Sequence, residues 1–160
     1  MITRRRLLGL GLMLAVAPAR AGALRPFGLG SFEEIRRANA GRAHVVAFWS
    51  VTCAPCHEEM PVWRELRRRR PDVPLALVST DGLPEAAGVE ARLAEHGLAD
   101  APAWIFADER VERLRHSIDR GWRGELPRTY LVDARGGTEA LTGRVQWHAL
   151  ADWLARAPAR

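Results

Sequence analysis

The chain has 160 residues, of which 48% are hydrophobic and 27% charged, values that suit one globular domain. They exclude a disordered polypeptide, a collagen-like fibre and a polytopic membrane protein, and two cysteines are too few for a disulfide-stapled scaffold. The formal net charge is +5, but four of the 24 basic residues lie in residues 1–21. The rest of the chain has 20 basic and 19 acidic residues, a net charge of +1. Such a balance gives no general attraction to nucleic acid or to anionic lipid.

Residues 1–21 have the pattern of a secretory signal peptide. Arg4, Arg5 and Arg6 precede an apolar run at 7–17, and small residues follow it, as at a signal cleavage site. The apolar run is shorter than the roughly 20 residues that a transmembrane helix needs, and an uncleaved membrane anchor is the alternative. The adjacent arginines also resemble a twin-arginine export signal. We therefore predict export to the periplasm, where the cysteines meet an oxidising environment.

The rest of the chain alternates between predicted helices and strands, after a short linker at 22–30. Helices are expected at 31–39, 53–70, 84–96, 111–118 and 147–155, and strands at 44–50, 75–79, 104–107, 129–132 and 139–141. Ser31 and Glu34 match a capping box at the start of the first helix. The first two strands are nearly continuous apolar runs, typical of strands buried on both faces. This order predicts an α/β fold in one domain over residues 31–160.

Both cysteines lie in one motif, Cys53-Ala-Pro-Cys56, at a predicted strand-to-helix junction. There the first sulfur would lie beside the free N–H groups of the helix start, which favour a thiolate. The thiolate is the attacking species in disulfide exchange. Cys53 is therefore the predicted nucleophile and Cys56 the resolving thiol of a thiol–disulfide oxidoreductase.

The same motif permits two other interpretations. Because His57 completes Cys-x-x-Cys-His, these residues could attach haem covalently, or bind copper or zinc. A haem protein would need a second axial ligand, but Met60 lies on the same predicted helix. A metal site would need further ligands, and the sequence has no second Cys-x-x-Cys and no His-x-x-x-His pair. We predict no cofactor and no metal, with a haem or copper carrier as the alternative function.

Two segments resemble the thioredoxin superfamily. Residues 48–61, Phe-Trp-Ser-Val-Thr-Cys-Ala-Pro-Cys-His-Glu-Glu-Met-Pro, resemble its active-site segment, and the Glu-Met-Pro ending is similar to that of the exported TlpA/ResA/CcmG-like branch. Residues 126–133, Leu-Pro-Arg-Thr-Tyr-Leu-Val-Asp, resemble the family's cis-proline strand. The resemblance covers roughly residues 31–156. It implies a thioredoxin-like fold, with a central mixed β-sheet flanked by helices and an α/β insertion at 84–118, before the cis-proline strand.

The resemblance also assigns roles to single residues. Pro127 would be cis and lie beside the cysteines, and the backbone of Leu126 would pair with an extended substrate segment. Glu59 would be a buried carboxylate with a raised pKa that moves protons for Cys56.

Three further residues would border the substrate in this resemblance, namely Trp49, Pro55 and Arg128. Of these, Arg128 follows the cis-proline, where the family usually has a small polar residue, and it would favour an acidic partner. Ala47 stands where plain thioredoxin has a buried acid, which makes Glu59 the predicted proton relay.

The activity implied by the resemblance is exchange with client protein disulfides or thiols outside the cytoplasm. Reduction is the expected direction, for example in cytochrome c maturation, although the reduction potential of such a motif is widely tunable. A reductant in that compartment implies a membrane-bound thiol electron donor. We expect a monomer that binds no nucleic acid.

Overall fold

The structure is a computed structural model that describes residues 23–157, so the predicted signal peptide at 1–21 lies outside the described residues. Within them the strands are β1 (Arg25–Phe27), β2 (His44–Trp49), β3 (Leu75–Gly82), β4 (Ala103–Phe106), β5 (Arg128–Val132) and β6 (Thr138–Thr142). The helices are α1 (Ser31–Ala38), α2 (Ala54–Arg69), α3 (Ala86–Glu95), α4 (Val111–Ile118) and α5 (Trp147–Arg156), and one 3₁₀ turn (Leu83–Glu85) precedes α3. No helix in this part of the chain is long and apolar enough to cross a membrane.

The strands form one mixed sheet in the order β1-β4-β3-β2-β5-β6. The first four run parallel to one another, β5 is antiparallel to β2, and β6 is antiparallel to β5. The predicted central mixed sheet with flanking helices is thus confirmed. The predicted insertion supplies α3, β4 and α4, which lie between β3 and β5 in the sequence.

Strand β2 lies in the middle of the sheet and is buried along its whole length, which explains its nearly continuous apolar run. Successive side chains of a strand point to opposite faces. Ala47 and Trp49 therefore pack with Cys56 and other residues of α2 in one core. Phe48 belongs to a second, aromatic core, where it lies 4.9 Å from the Trp122 ring centroid. The sheet thus has a buried core on each face.

Part of the predicted linker is wrong, because Arg25–Phe27 forms strand β1 and pairs with β4. Phe27 is fully buried and stacks on Phe106 at a centroid distance of 5.5 Å, so burial of this ring fixes the segment in the sheet. The predicted capping box is also wrong. Gly30, with φ +89°, is the N-cap of α1, and the Ser31 hydroxyl accepts the N–H of Gly28 at 3.0 Å instead.

Candidate functional site

The predicted cysteine pair lies where central strand β2 leads into α2. Cys53 is the N-cap residue of α2, with an extended backbone, and Cys56 lies in the first turn of the helix. The two sulfurs form a disulfide in this structure. The backbone N–H of Cys56 donates to the carbonyl oxygen of Cys53 at 3.0 Å and also to the Cys53 sulfur at 3.3 Å, so an N–H of the helix start faces the predicted nucleophile. Cys53 keeps part of its surface exposed, whereas Cys56 has none.

The loop that precedes Cys53 is held by Asp81, at the end of β3. The Asp81 carboxylate accepts the hydroxyl of Ser50 at 2.9 Å, the backbone N–H of Val51 at 3.0 Å and the hydroxyl of Ser79 at 2.5 Å. It therefore ties the ends of two neighbouring parallel strands together. Sequence reasoning did not identify Asp81 as part of the site. An acid at the carboxyl end of a buried strand beside the motif was the available signal.

We expect an Asp81→Ala substitution to lower the free energy of unfolding by about 1–3 kcal/mol, because it leaves the Val51 N–H and the Ser50 hydroxyl without their acceptor. Urea denaturation measures this loss. Asp100→Ala is the matched control, since the Asp100 side chain is 70% exposed and forms a surface ion pair with Arg67. Equal losses in the two variants would contradict a positioning role for Asp81.

His57 is held on both sides of its ring. Its Nε2 lies 2.9 Å from the carbonyl oxygen of Val51 and must carry the proton, because a carbonyl only accepts. Its Nδ1 lies 3.2 Å from Nε2 of His96, which donates to it when both rings are neutral. Burial, followed by the neighbouring His57, lowers the pKa of His96. His57 thus links the loop before Cys53 to the end of α3.

This arrangement gives the carrier interpretations no support. Both ring nitrogens of His57 are engaged within the protein. Among residues 23–157, no group of three or more His, Cys, Asp or Glu side chains is placed to hold a metal ion.

Glu59 follows Cys56 by three residues on α2 and so lies on the same helix face, one turn further along. It is buried, with 2% of its surface exposed. One carboxyl oxygen accepts the backbone N–H of Val145 at 2.6 Å and the other accepts Nε1–H of Trp63 at 3.2 Å. Burial raises the pKa of Glu59 to about 7, against the opposing effect of these two hydrogen bonds. A carboxyl group with this pKa can take up or release a proton near neutral pH.

The Leu126–Pro127 peptide bond is cis, as the resemblance implies. Phe48 pairs with Arg128 across β2 and β5, so the preceding residue, Pro127, lies level with the end of β2, beside the cysteine loop. Leu126 is half-buried and packs against both cores, including the core that contains Cys56. Pro55 is exposed in the first turn of α2. The chain fold therefore brings the predicted cis-proline and cysteine segments to one end of the sheet.

Two predicted substrate contacts need correction. Trp49 is only 1% exposed and packs edge-on against His57, at a centroid distance of 6.1 Å, so it supports the site from the core and offers no surface to a client. Arg128 is paired with Asp119 and also donates to Tyr130 Oη at 3.2 Å, and its side chain is 13% exposed. Its charge is neutralised inside the protein, so it does not provide the acid-binding rim that the sequence suggested.

Comparisons with known proteins agree with this geometry at the level of the fold. No model of a known protein family matches the sequence, and no curated protein matches it. Among solved structures, Mycobacterium tuberculosis DsbF in its mixed oxidised and reduced forms superposes with a TM-score of 0.63 at 20% identity, over 76% of this chain and 85% of that one.

Two further structures give the same result. A secreted Mycobacterium tuberculosis disulfide oxidoreductase homologous to E. coli DsbE has a TM-score of 0.61 at 16% identity, over 75% of this chain and 85% of that one. StoA from Bacillus subtilis has a TM-score of 0.56 at 20% identity, over 72% of this chain and 84% of that one. These similarities show that the chain has the thioredoxin-like fold that its sequence predicts.

Proposed function

We propose that the protein is an exported thiol–disulfide oxidoreductase that uses the Cys53–Cys56 pair. The observation that carries this proposal is the geometry of the pair: a partly exposed Cys53 at the N-cap of α2, a buried Cys56, and the buried Glu59 one turn beyond. An exposed sulfur can be attacked or can attack, and a buried partner resolves the product. The secreted oxidoreductase with a similar fold is consistent with this activity and with export.

The reaction begins from the reduced protein. The Cys53 thiolate attacks one sulfur of a client disulfide, and the client's S–S bond breaks to give a mixed disulfide and one client thiolate. Glu59 in its ionised form accepts the thiol proton of Cys56. The Cys56 thiolate then attacks the Cys53 sulfur and releases the second client thiolate. Two electrons pass to the client, and the protein is left with the Cys53–Cys56 disulfide.

Client binding in this proposal uses the backbone before the cis-proline. The main chain at Leu126 would pair with an extended client segment, which gives affinity with little demand on the client's sequence. Pro55, exposed on α2, would border the same segment.

The direction proposed is reduction of client disulfides in the periplasm, with cytochrome c maturation as one candidate pathway. Each turnover leaves the protein oxidised, and an oxidising compartment does not return electrons to it. A membrane-bound thiol donor would therefore have to reduce the Cys53–Cys56 disulfide again.

The test is a redox titration of residues 22–160 against glutathione, followed by tryptophan fluorescence and by thiol trapping. We expect a reversible two-electron transition between about −270 and −200 mV, the range of thioredoxin and the glutaredoxins. A value near about −120 mV would identify an oxidant and contradict the reductase role. The absence of any reversible Cys53–Cys56 disulfide would overturn the oxidoreductase proposal.

A further inference from the structure

A pocket of about 360 Å³ opens beside the loop that leads into the cis-proline. It is lined by Glu112, Arg113, Arg115, His116, Trp122 and Arg123, and we refer to it as the cationic pocket. These lining residues include three guanidinium groups and one carboxylate. The segment 110–123 has the same bias, with five arginines against two acidic residues.

Positive charges outnumber negative charges among the lining residues of this pocket. In the part of the chain that the structure describes, ion pairs occupy Arg67, Arg70 and other surface arginines, but none includes Arg113, Arg115 or Arg123. Two further acids lie near the pocket. Asp119 is paired with Arg128, whereas Glu125 keeps its charge near Arg123, whose backbone N–H its carboxylate accepts at 3.0 Å.

The floor of the cationic pocket is fixed by the aromatic core. The Arg115 guanidinium lies over the Trp122 ring, 5.9 Å from its centroid, and packs closely against Gly124. Trp122 is buried, packs on Phe48 and donates its Nε1–H to the carbonyl oxygen of Glu125 at 3.0 Å. Arg115 Nε is itself buried and has no hydrogen-bond partner among the described residues. The pocket is therefore positioned before any ligand arrives.

The cationic pocket also adjoins the proposed client-binding backbone. Arg123 precedes Leu126 by three residues, which span at most about 10 Å of extended chain. A client segment that pairs with the backbone of Leu126 therefore passes within reach of the Arg123 side chain. A carboxylate a few residues from the client cysteine would meet unpaired guanidinium groups there.

We propose that the cationic pocket binds an acidic segment of the client polypeptide, adjacent to the client's reactive cysteine. This inference rests on the proposed oxidoreductase function and specifies which clients it favours. Charges at the rim of an interface mainly accelerate association and select partners. The pocket thus takes the acid-binding role that the sequence suggested for Arg128.

The test uses a pair of disulfide-bonded peptides that differ only in a dipeptide near the cysteine, which is Glu-Asp in the acidic peptide and Gln-Asn in the neutral peptide. The pair is made twice, once with this dipeptide before the cysteine and once with it after the cysteine. At low ionic strength the wild-type protein should reduce the acidic peptide with a kcat/KM about three- to tenfold higher than the neutral one. In the double variant R113Q/R123Q this ratio should fall to about one. The matched control is R37Q/R156Q, which removes the same charge at two exposed positions outside the pocket, and it should keep the wild-type ratio.

Each other outcome has a distinct meaning. Failure to reduce either peptide would overturn the proposed oxidoreductase function itself. Equal reduction of both peptides by the wild-type protein would overturn only the cationic pocket. An equal loss of preference in R37Q/R156Q would show a general charge effect and would also overturn it. A preference for the acidic peptide that persists at 0.5 M NaCl would also overturn the cationic pocket, since the screening length there is about 4 Å and interactions between exposed charges are screened.

Discussion

Replacing Cys53 by serine is expected to abolish disulfide exchange, with a loss of about a thousandfold or more in the rate of insulin disulfide reduction. Cys53 is the partly exposed member of the pair, and its sulfur accepts the N–H of Cys56 at the start of α2. A serine hydroxyl can occupy the same N-cap position, so the helix should remain intact. It stays protonated and cannot attack a disulfide, so the variant tests the chemistry separately from the fold.

The complementary change, Cys56→Ser, should keep the first step and lose the second. Cys53 would still attack, but no resolving thiol would release the client, and the mixed disulfide would accumulate. Intact-mass measurement of the protein after incubation with a disulfide peptide detects this adduct. If Cys53→Ser retains full activity, or if Cys56→Ser forms no adduct, the assignment of nucleophile and resolving thiol is wrong.

Much of the fold could be predicted because its strongest signals are local. The apolar run of β2 indicates a strand buried on both faces, and β2 is the fully buried centre of the sheet. Strand β1 has no such signal, since it is three residues long and contains Pro26. Its place depends on pairing with β4, which is distant in the sequence. Only the assembled sheet, with Phe27 buried against Phe106, specifies that strand.

The candidate site also combines residues with a local sequence signal and residues that only tertiary packing brings there. The spacing of Cys53 and Cys56 predicts their common location at one helix start, and the family resemblance adds Glu59 from the same helix. Asp81 and His96 reach the site only through tertiary packing, and the sequence places neither of them there.

Charge assignments could be predicted least well. The sequence shows that Arg128 follows the cis-proline, but not that Asp119 and Tyr130 engage its guanidinium. The pairing of a cation is a property of its neighbours in space. Arg113 and Arg123, which the sequence did not single out, line the cationic pocket and form no ion pair within residues 23–157.

The second large effect is expected from Glu59→Gln, which should slow the resolving step about a hundredfold at pH 8. Burial raises the pKa of Glu59 to about 7, so the wild-type carboxyl is ionised at pH 8 and can accept the Cys56 proton. A glutamine cannot. The rate of mixed-disulfide resolution, measured by stopped-flow tryptophan fluorescence, should rise through pH 7 in the wild type and lose this rise in the variant.

Two further variants make this pH profile specific to Glu59. Glu58→Gln is the matched control, because Glu58 is the exposed neighbour on α2 and pairs with Arg144 at the surface. It should leave the rise near pH 7 in place. Trp63→Phe removes the Nε1–H that donates to Glu59, and that hydrogen bond lowers the pKa of the carboxyl. In Trp63→Phe the midpoint of the rise in the resolution rate should therefore move to higher pH. A wild-type profile in Glu59→Gln would reduce Glu59 to a packing residue.

Stability supplies an independent measure of the same ionisation. The pKa of Glu59 is about 7 in the folded protein, compared with an ordinary value of 4.5 that applies once the chain unfolds. A carboxyl group whose pKa is raised on folding stabilises the protein fully below about pH 4.5, and this contribution is lost as the pH rises through 7. The shift corresponds to about 3 kcal/mol between pH 4.5 and pH 9. Urea denaturation should show that Glu59→Gln removes a pH dependence of this size, because an amide does not titrate. If the variant and the wild type lose stability in parallel over this range, the carboxyl at position 59 is not held in the protonated form by burial, and its proposed transfer of a proton from Cys56 near neutral pH has no basis.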